Sequence, residues 1–580
     1  MKTSEKVKIF TLFATLFVII SISCSSSAKA TKPASTGGQE QVVATSTLKA
    51  VSTLGPTNIP EPTNTPQPTS TPEPTNTPKP TSTPKPTSTP KPTKTLEPIA
   101  TPTTAPIGFS RSNPYPRSEI ASVPNWDVQI LEVKRGEEAW KDLKAANMFN
   151  EVAPEGMEYL LVKLHVKSTY ADTEEHSISG YDFDVTGDHL IRYTNGMASV
   201  VEPEPPLDAK LFTGGEAEGW SAYLIVKGEG NLILIANGPF SLDESAIRYI
   251  ALDEGASISI SPELSNIKSI DLGKERSNPA PRTEKIITED WEVSVIDEVR
   301  GDEAWKMVQE ANQFNDPPME GMEYIAVRVH ARYIGTKEKA ENIGGNFFTT
   351  TGGANVLYDQ PSVVDPEPTL DISLYPGGEY EGWIVVQAAR SEGNLMLVVE
   401  KTFSFDESAI RYIALDEGAS VSVSPELSSI KPTDLGKERS NPAPRTEKII
   451  TEDWEVSLVD VVRGDEAWKM VQEANQFNDP PTEGMEYIAV IVHARYIGTE
   501  DKAENIDESF FTTAGGANVL YDRPSVVNPD PSLDVYLYPG GEYEGWVIIQ
   551  AAKGETGVVL VFEPLFDFSG NNKRFISLEP

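Results

Sequence analysis

Cysteine is nearly absent: the 580 residues contain one, Cys24. A single thiol can form neither an intramolecular disulfide nor a cysteine-built metal site. Histidine is scarce too, with five in the chain, which leaves little material for imidazole chemistry. Basic residues are outnumbered, 49 Lys and Arg against 87 Asp and Glu, for a net charge of −38. The imbalance is uneven: residues 1–23 are net +2 and residues 24–106 net +3, leaving −43 for residues 107–580. A field of that sign repels phosphate backbones, so nucleic acid is excluded as a partner. Long apolar runs are also missing, apart from Ile9–Ile22, which is short for a spanning helix.

Lys2, Lys6 and Lys8 precede that apolar run, and Ser21-Ile22-Ser23-Cys24 closes it. Basic residues, a short apolar stretch and small residues make a secretory signal. Small residues directly before a cysteine resemble the bacterial lipoprotein processing box, with one departure, Ser21, where that pattern has an aliphatic residue. The resemblance implies that residues 1–23 are a lipoprotein signal peptide and that Cys24 is the site of lipid attachment. Several acyl chains, at about 0.8 kcal/mol per buried CH₂, would anchor the chain stably. Ser25 follows the cysteine, not the Asp of the family's inner-membrane retention signal. The implied location is extracytoplasmic, lipid-anchored to the cell membrane or outer surface. An ordinary signal peptide with an incidental cysteine is the competing reading.

From Pro56 the sequence falls into a six-residue period, Pro-Thr-x-Thr-Pro-x, within residues 24–106. Too few apolar residues occur there to form a core. Proline at this density favours polyproline II, and at about 3.1 Å per residue the tract reaches on the order of 150 Å when extended. A disordered stalk is expected, and its threonines permit O-glycosylation.

Everything after the stalk is three versions of one module. Arg135–Tyr159 reads RGEEAWKDLKAANMFNEVAPEGMEY, and close copies run from Arg300 to Tyr324 and from Arg463 to Tyr487. Arg111-Ser112-Asn113-Pro114 recurs at Arg276–Pro279 and Arg439–Pro442, and all nine tryptophans fall at matched positions. Copy one carries two extra residues somewhere between Tyr159 and Trp220. Copy three closes after Arg574–Leu578, the counterpart of Arg248–Leu252 and Arg411–Leu415, which sets the boundaries. Modules are expected at 107–252, 285–415 and 448–580, with connectors at 253–284 and 416–447. Each is long enough to bury its own core.

Strand patterns dominate each module. Tyr324–Tyr333 places Ile325, Val327, Val329, Ala331 and Tyr333 on one face and Arg328, His330 and Arg332 on the other. Trp291–Val299 alternates, with Val293, Val295 and Ile296 as its apolar positions. Pro376-Gly377-Gly378 is a turn, and Tyr380–Gln387, Asn394–Glu400 and Arg411–Leu415 follow as strands. Inside the cassette, Ala304, Val308 and Ala311 at i, i+4, i+7 predict one short helix, which Pro317-Pro318 ends and which Trp305 and Phe314 are expected to brace. The fold class is all-β: three tandem immunoglobulin-like antiparallel sandwiches, each with one short helix. An acidic helix ending in EGMEY, an alternating strand, a Pro-Gly-Gly turn and Gly-Trp resemble an uncharacterised immunoglobulin-like family found on secreted bacterial lipoproteins. The resemblance implies fold and location, with no activity attached. Copy one departs from it at Thr213, where the turn proline is missing.

No nucleophile–base set or phosphate-cradling glycine loop stands out. His165, His330 and His493 alternate with basic residues on a strand face and read as solvated. Asp182, Asp184 and Asp188 offer oxygen ligands for calcium, but the spacing misses the EF-hand pattern and copy two lacks it. No metal or cofactor is expected, and the paired acids read as a solvated face. Arg135, Arg300 and Arg463 read as loop ties to acidic residues. Trp140, Trp305 and Trp468 are the candidate ligand contacts, as a sugar-stacking platform; the competing reading buries them against the sheet. The expected function is a non-enzymatic cell-surface lipoprotein displaying repeated modules for binding or adhesion; the alternative is a carbohydrate- or cell-envelope-binding protein. Expected partners are the membrane, through the anchor, and an extracellular protein or polysaccharide, with the chain itself a monomer.

Overall fold

The computed structural model describes residues 106–236, 244–400, 409–564 and 570–579. Cys24, the signal and the Pro/Thr tract lie outside them. The described residues belong to one compact unit, Glu97–Pro580, and it is all-β with antiparallel sheets.

In the second copy, Ile286–Ile287, Trp291–Arg300, Met322–Tyr333 and Glu379–Ala389 make one sheet in that order. Arg411–Ala414, Met396–Val399, Phe348–Thr351 and Val356–Tyr358 make the other. A short pair, Glu341–Gly344 with Asp371–Leu374, stands beside them. Copies one and three repeat this order. Ile325, Val327, Val329, Ala331 and Tyr333 are all buried in the core between the sheets, as the alternation requires. Burying Ile325, Val327 or Val329 contributes roughly 1.5–3 kcal/mol of transfer free energy each.

The predicted helices form at Glu137–Ala146 (α1), Asp302–Ala311 (α2) and Asp465–Ala474 (α3). They lie on the outer face of the first sheet. Ala304 and Val308 pack there against Tyr324, Ala326 and Val385, so the first half of Met322–Tyr333 is buried on both faces and alternates only afterwards. Ile296 is not a core residue. The register slips between Val295 and Asp297, and this β-bulge turns Ile296 into solvent. Leu131 and Val459 are exposed at the same bulge.

The stretches between copies are packed. Ala256 and Ile258 are buried against Tyr249 and Tyr375, and Ala280 pairs in parallel with Ile413 of the module that follows. Successive copies also join through their sheets. Val356 and Leu357 pair with Leu537 and Tyr536, so one six-stranded sheet crosses from copy two into copy three. At the first joint Ile191 bridges Leu374, and the Tyr375 N–H donates to Leu190 O at 2.7 Å. The arginine of Arg-Ser-Asn-Pro locks each joint. Arg111, 0% exposed, pairs with Glu338 at 2.6 Å and lies 3.9 Å over the Tyr375 ring. Arg276, also 0% exposed, pairs with Asp501 at 2.5 Å, donates to Asn355 Oδ1 at 2.8 Å and lies 3.7 Å over Tyr538.

Candidate functional site

The region that recurs in every copy with the same bonds is the helix and the turn after it. Each helix starts at a glycine, Gly136, Gly301 or Gly464, with φ of 58, 64 and 68° and ψ near −130°, a backbone region open to glycine alone. The glycine carbonyl accepts the N–H of Trp140, Trp305 or Trp468 at 2.9 Å. Each helix stops at an asparagine in extended conformation, Asn147, Asn312 or Asn475. Its side-chain oxygen captures the N–H two residues on, at Phe149, Phe314 or Phe477, each at 3.0 Å. This Asx turn competes with the helix and ends it.

The next residue fixes the turn from the other side. Asn150 Nδ2 donates at 2.8 Å to both Leu143 O, in the last turn of α1, and Val201 O, while its Oδ1 accepts the Val201 N–H at 2.9 Å. Asn315 makes the same three bonds to Val308 and Val364, and Asn478 to Val471 and Val527. The Tyr159, Tyr324 and Tyr487 hydroxyls donate to the carbonyls of Glu151, Asp316 and Asp479. Between these clamps the phenylalanine points outward. Phe149, Phe314 and Phe477 are 82, 82 and 83% exposed, and Val201, Val364 and Val527 beside them are exposed as well. Phe314 therefore does not brace the helix as its position in the pattern suggests: Asn312 and Asn315 turn the chain away before its ring can reach the sheet.

Trp140, Trp305 and Trp468 are half-buried. Each packs on the tyrosine of EGMEY, with ring centroids 6.0–6.1 Å apart, and each joins the helix cluster that holds the third tryptophan of its copy. In copy one the exposed part of Trp140 lines a cleft of about 410 Å³ together with Glu137, Val152, Pro154, Glu155 and Lys227. A second cleft, of about 480 Å³, lies beside Phe149 and includes Tyr181, Asn195, Val201 and Glu202. The extra residues of copy one sit here. The spacing to copy two changes from 165 at Tyr193 to 163 at Val201, across a 3₁₀ turn at Asn195–Ala198.

Under the turn each copy holds one side-chain oxygen acceptor. Glu202 accepts the Ala222 N–H at 2.9 Å, Asp365 the Val385 N–H at 2.9 Å, and Asn528 the Ile548 N–H at 3.2 Å. Burial raises the carboxyl of Glu202 and pushes that of Asp365 up to about 6. Copy three supplies the same acceptor as a neutral amide, so the fold needs the oxygen and not the charge.

The remaining candidates have structural partners. Arg135 pairs with Glu158, Arg300 with Glu323 and Asp416, and Arg463 with Glu486. His165, His330 and His493 each lie 3.4 Å from a strand glutamate. Asp184 pairs with Arg192 at 2.5 Å and Asp182 caps its own turn at Ser179. Among the described residues no three His, Cys, Asp or Glu side chains converge as a metal site, and no helix is long and apolar enough to cross a membrane. The sequence pattern casts the phenylalanine as a brace and gives the asparagines around it no role. The signal was there, since Asn-x-Phe-Asn is kept in all three copies at 147–150, 312–315 and 475–478.

No protein-family model matches the chain, and no curated protein matches it. Among solved structures it is similar to the candidate lipoprotein ycdA of Bacillus subtilis, at 12% identity over 24% of this chain and 38% of that one, with a TM-score of 0.18. It is also similar to the yjhA protein of Bacillus subtilis, at 15% identity over 24% of this chain and 99% of that one, with a TM-score of 0.17. The chain spans well under half of ycdA. At such scores nothing about activity passes from either protein to this one.

Proposed function

We propose that this is a non-enzymatic, surface-anchored binding protein that presents the same aromatic contact three times. The observation that carries the reading is the set of three phenylalanines, each more than four-fifths exposed and each held by the same asparagine bonds. A large apolar ring on a pinned turn loses little entropy on binding, and buried aromatics dominate protein interfaces. Three copies on one chain raise avidity without strengthening any single contact. An extracellular protein with an apolar pocket is the partner this chemistry fits. Acylation at Cys24 and the Pro/Thr stalk complete the reading by holding the modules away from a membrane.

The test is retention of beads carrying residues 97–580 on surfaces coated with extracellular proteins or with purified envelope polysaccharides. Replacing Phe149, Phe314 and Phe477 together by Ser should abolish retention on protein surfaces, whereas one replacement alone should weaken it modestly. Retention unchanged in the triple variant would sink the proposal. The cleft beside Trp140 favours the alternative, a carbohydrate- or cell-envelope-binding protein, and polysaccharide retention that depends on Trp140, Trp305 and Trp468 would establish that one instead. For the anchor, a Cys24→Ala chain should leave the membrane fraction after a high-salt wash; one that stays there is not anchored through Cys24.

A further inference from the structure

The two joints use one set of positions, and the same positions recur uncovered at two further faces of the chain. Arg111 and Arg276 are sealed in joints, but their counterpart Arg439 is exposed and, among the described residues, bonds to Asn518 of its own module. Val356 is buried and Leu357 half-buried against copy three, while their counterparts Val519 and Leu520 are exposed, Leu520 at 60%. Copy three therefore offers an unoccupied donor face with a free sheet edge at Leu520–Tyr521. Copy one offers the matching acceptor face. Asp208–Leu211 corresponds to Asp371–Leu374 and Asp534–Leu537, the strands that receive the preceding module, yet among the described residues it pairs with His176–Ser179 alone. Phe212, in the place of Tyr375 and Tyr538, is 60% exposed.

The aromatic pair at each interface shows how these faces match. At the second joint Tyr412 and Tyr538 meet with their hydroxyls 3.0 Å apart and their rings edge to face at 6.3 Å; Tyr249 and Tyr375 occupy the same positions at the first. On the two open faces both tyrosines are phenylalanines, Phe575 for Tyr412 and Phe212 for Tyr538. Either one set against a tyrosine would leave a buried hydroxyl without its partner, which is unfavourable. Set against each other they leave nothing unsatisfied. A solvent-facing surface has no such reason to drop the hydroxyl.

We infer that the chain associates with a second copy of itself, head to tail: the Arg439–Leu520–Phe575 face of one copy docks on the Asp208–Phe212 face of the next. The edge at Leu520 adds to the strand Asp208–Leu211, Arg439 lies over the Phe212 ring, and Phe212 meets Phe575. The acid that neutralises the arginine in the internal joints, Glu338 or Asp501, is replaced by Thr173, with Asp172 and Glu174 on either side. The intermolecular contact is accordingly weaker than the internal ones and forms at high local density. Such a contact is heterologous and does not close, so it builds chains of copies rather than a dimer. This departs from the monomer expected from the sequence.

Sedimentation velocity on residues 97–580, in a concentration series up to about 1 mM where weak contacts populate, reads the association. The average mass should climb past that of a dimer. Leu520→Asp on one face, or Phe212→Glu on the other, should each give a monomer at every concentration; both side chains are exposed, and unchanged melting curves establish that the variants fold. Mixing the two variants should restore a 1:1 dimer and stop there, since each supplies the face the other lacks. A wild-type chain that stays monomeric throughout overturns the inference, and so does an association that survives Phe212→Glu.

Discussion

Arg276 and Arg439 hold the same position in consecutive modules, yet the first is sealed between Asp501, Asn355 and Tyr538 while the second stands in solvent. The turn after the helix behaves differently. Its asparagine clamps and outward phenylalanine recur in all three copies with bond lengths that agree within 0.2 Å. Residues that join modules thus depend on what lies beside them, and residues that shape the turn do not. Repetition alone does not mark a functional position: the arginine repeats for a joint, the phenylalanine with more than four-fifths of its surface open in every copy.

The sharpest way to break this contrast is to make one substitution in both arginines. Arg276→Ala leaves the joint without the cation that Asp501 and Asn355 surround, and should cost about 3 kcal/mol. Calorimetry on residues 97–580 should show copy three melting at lower temperature. Arg439→Ala should stay within about 0.5 kcal/mol of wild type, as exposed substitutions do. Equal losses would mean that the joint is not what buries Arg276.

Gly541 tests the same joint through the backbone. A Cβ there would lie 2.4 Å from Asn355 O across the interface, whereas at Gly215 of copy one it meets nothing nearer than Phe212 O at 3.0 Å, within its own turn. Gly541→Ala should destabilise by about 1–3 kcal/mol and Gly215→Ala by less, read in the same calorimetric scans.

The acceptor under the turn gives a pH signature. The folded-state pKa of Asp365 is raised, so the folded protein holds that proton more tightly than the unfolded chain. The group therefore costs no stability below its unfolded value near 4, loses stability as pH rises to about 6, and carries the whole penalty above that. Asp365→Asn, which reproduces Asn528 of copy three, should raise the stability of copy two by on the order of 2 kcal/mol near pH 8 and leave it unchanged near pH 3.5. A gain of equal size at both pH values would remove the buried carboxylate from the account.

Within the turn, Asn315→Ala removes three hydrogen bonds and should cost about 1–2 kcal/mol. Phe314→Ser should change stability by less than about 0.5 kcal/mol, because its ring packs on little. A large loss from Phe314→Ser would return that side chain to the bracing role that the helical pattern suggests for it.

Much of the fold was legible from local periodicity. Val327 to Tyr333 alternate because one face meets the core, and Ala304 and Val308 sit on one helical face because the other is solvated. Ile296 was harder, because a bulge changes register without changing composition. Phe314 read as a core residue because an apolar ring near a helix end usually is one; only the side-chain bonds of Asn312 and Asn315 show that the chain turns outward. Arg111 and Arg276 read as markers of a repeat, since their partners Glu338 and Asp501 lie more than 220 residues away and no local pattern links them.

Amide hydrogen exchange on dilute residues 97–580 tests the contrast most directly. The N–H groups of Tyr375 and Tyr538 donate across the joints to Leu190 O and Asn355 O at 2.7 and 2.8 Å, and should exchange slowly. The N–H of Phe212, their counterpart on the uncovered face, should exchange quickly, while those of Phe149, Phe314 and Phe477 should be protected to the same degree in all three copies. Fast exchange at Tyr375 and Tyr538, or unequal protection among the three phenylalanines, would contradict the account.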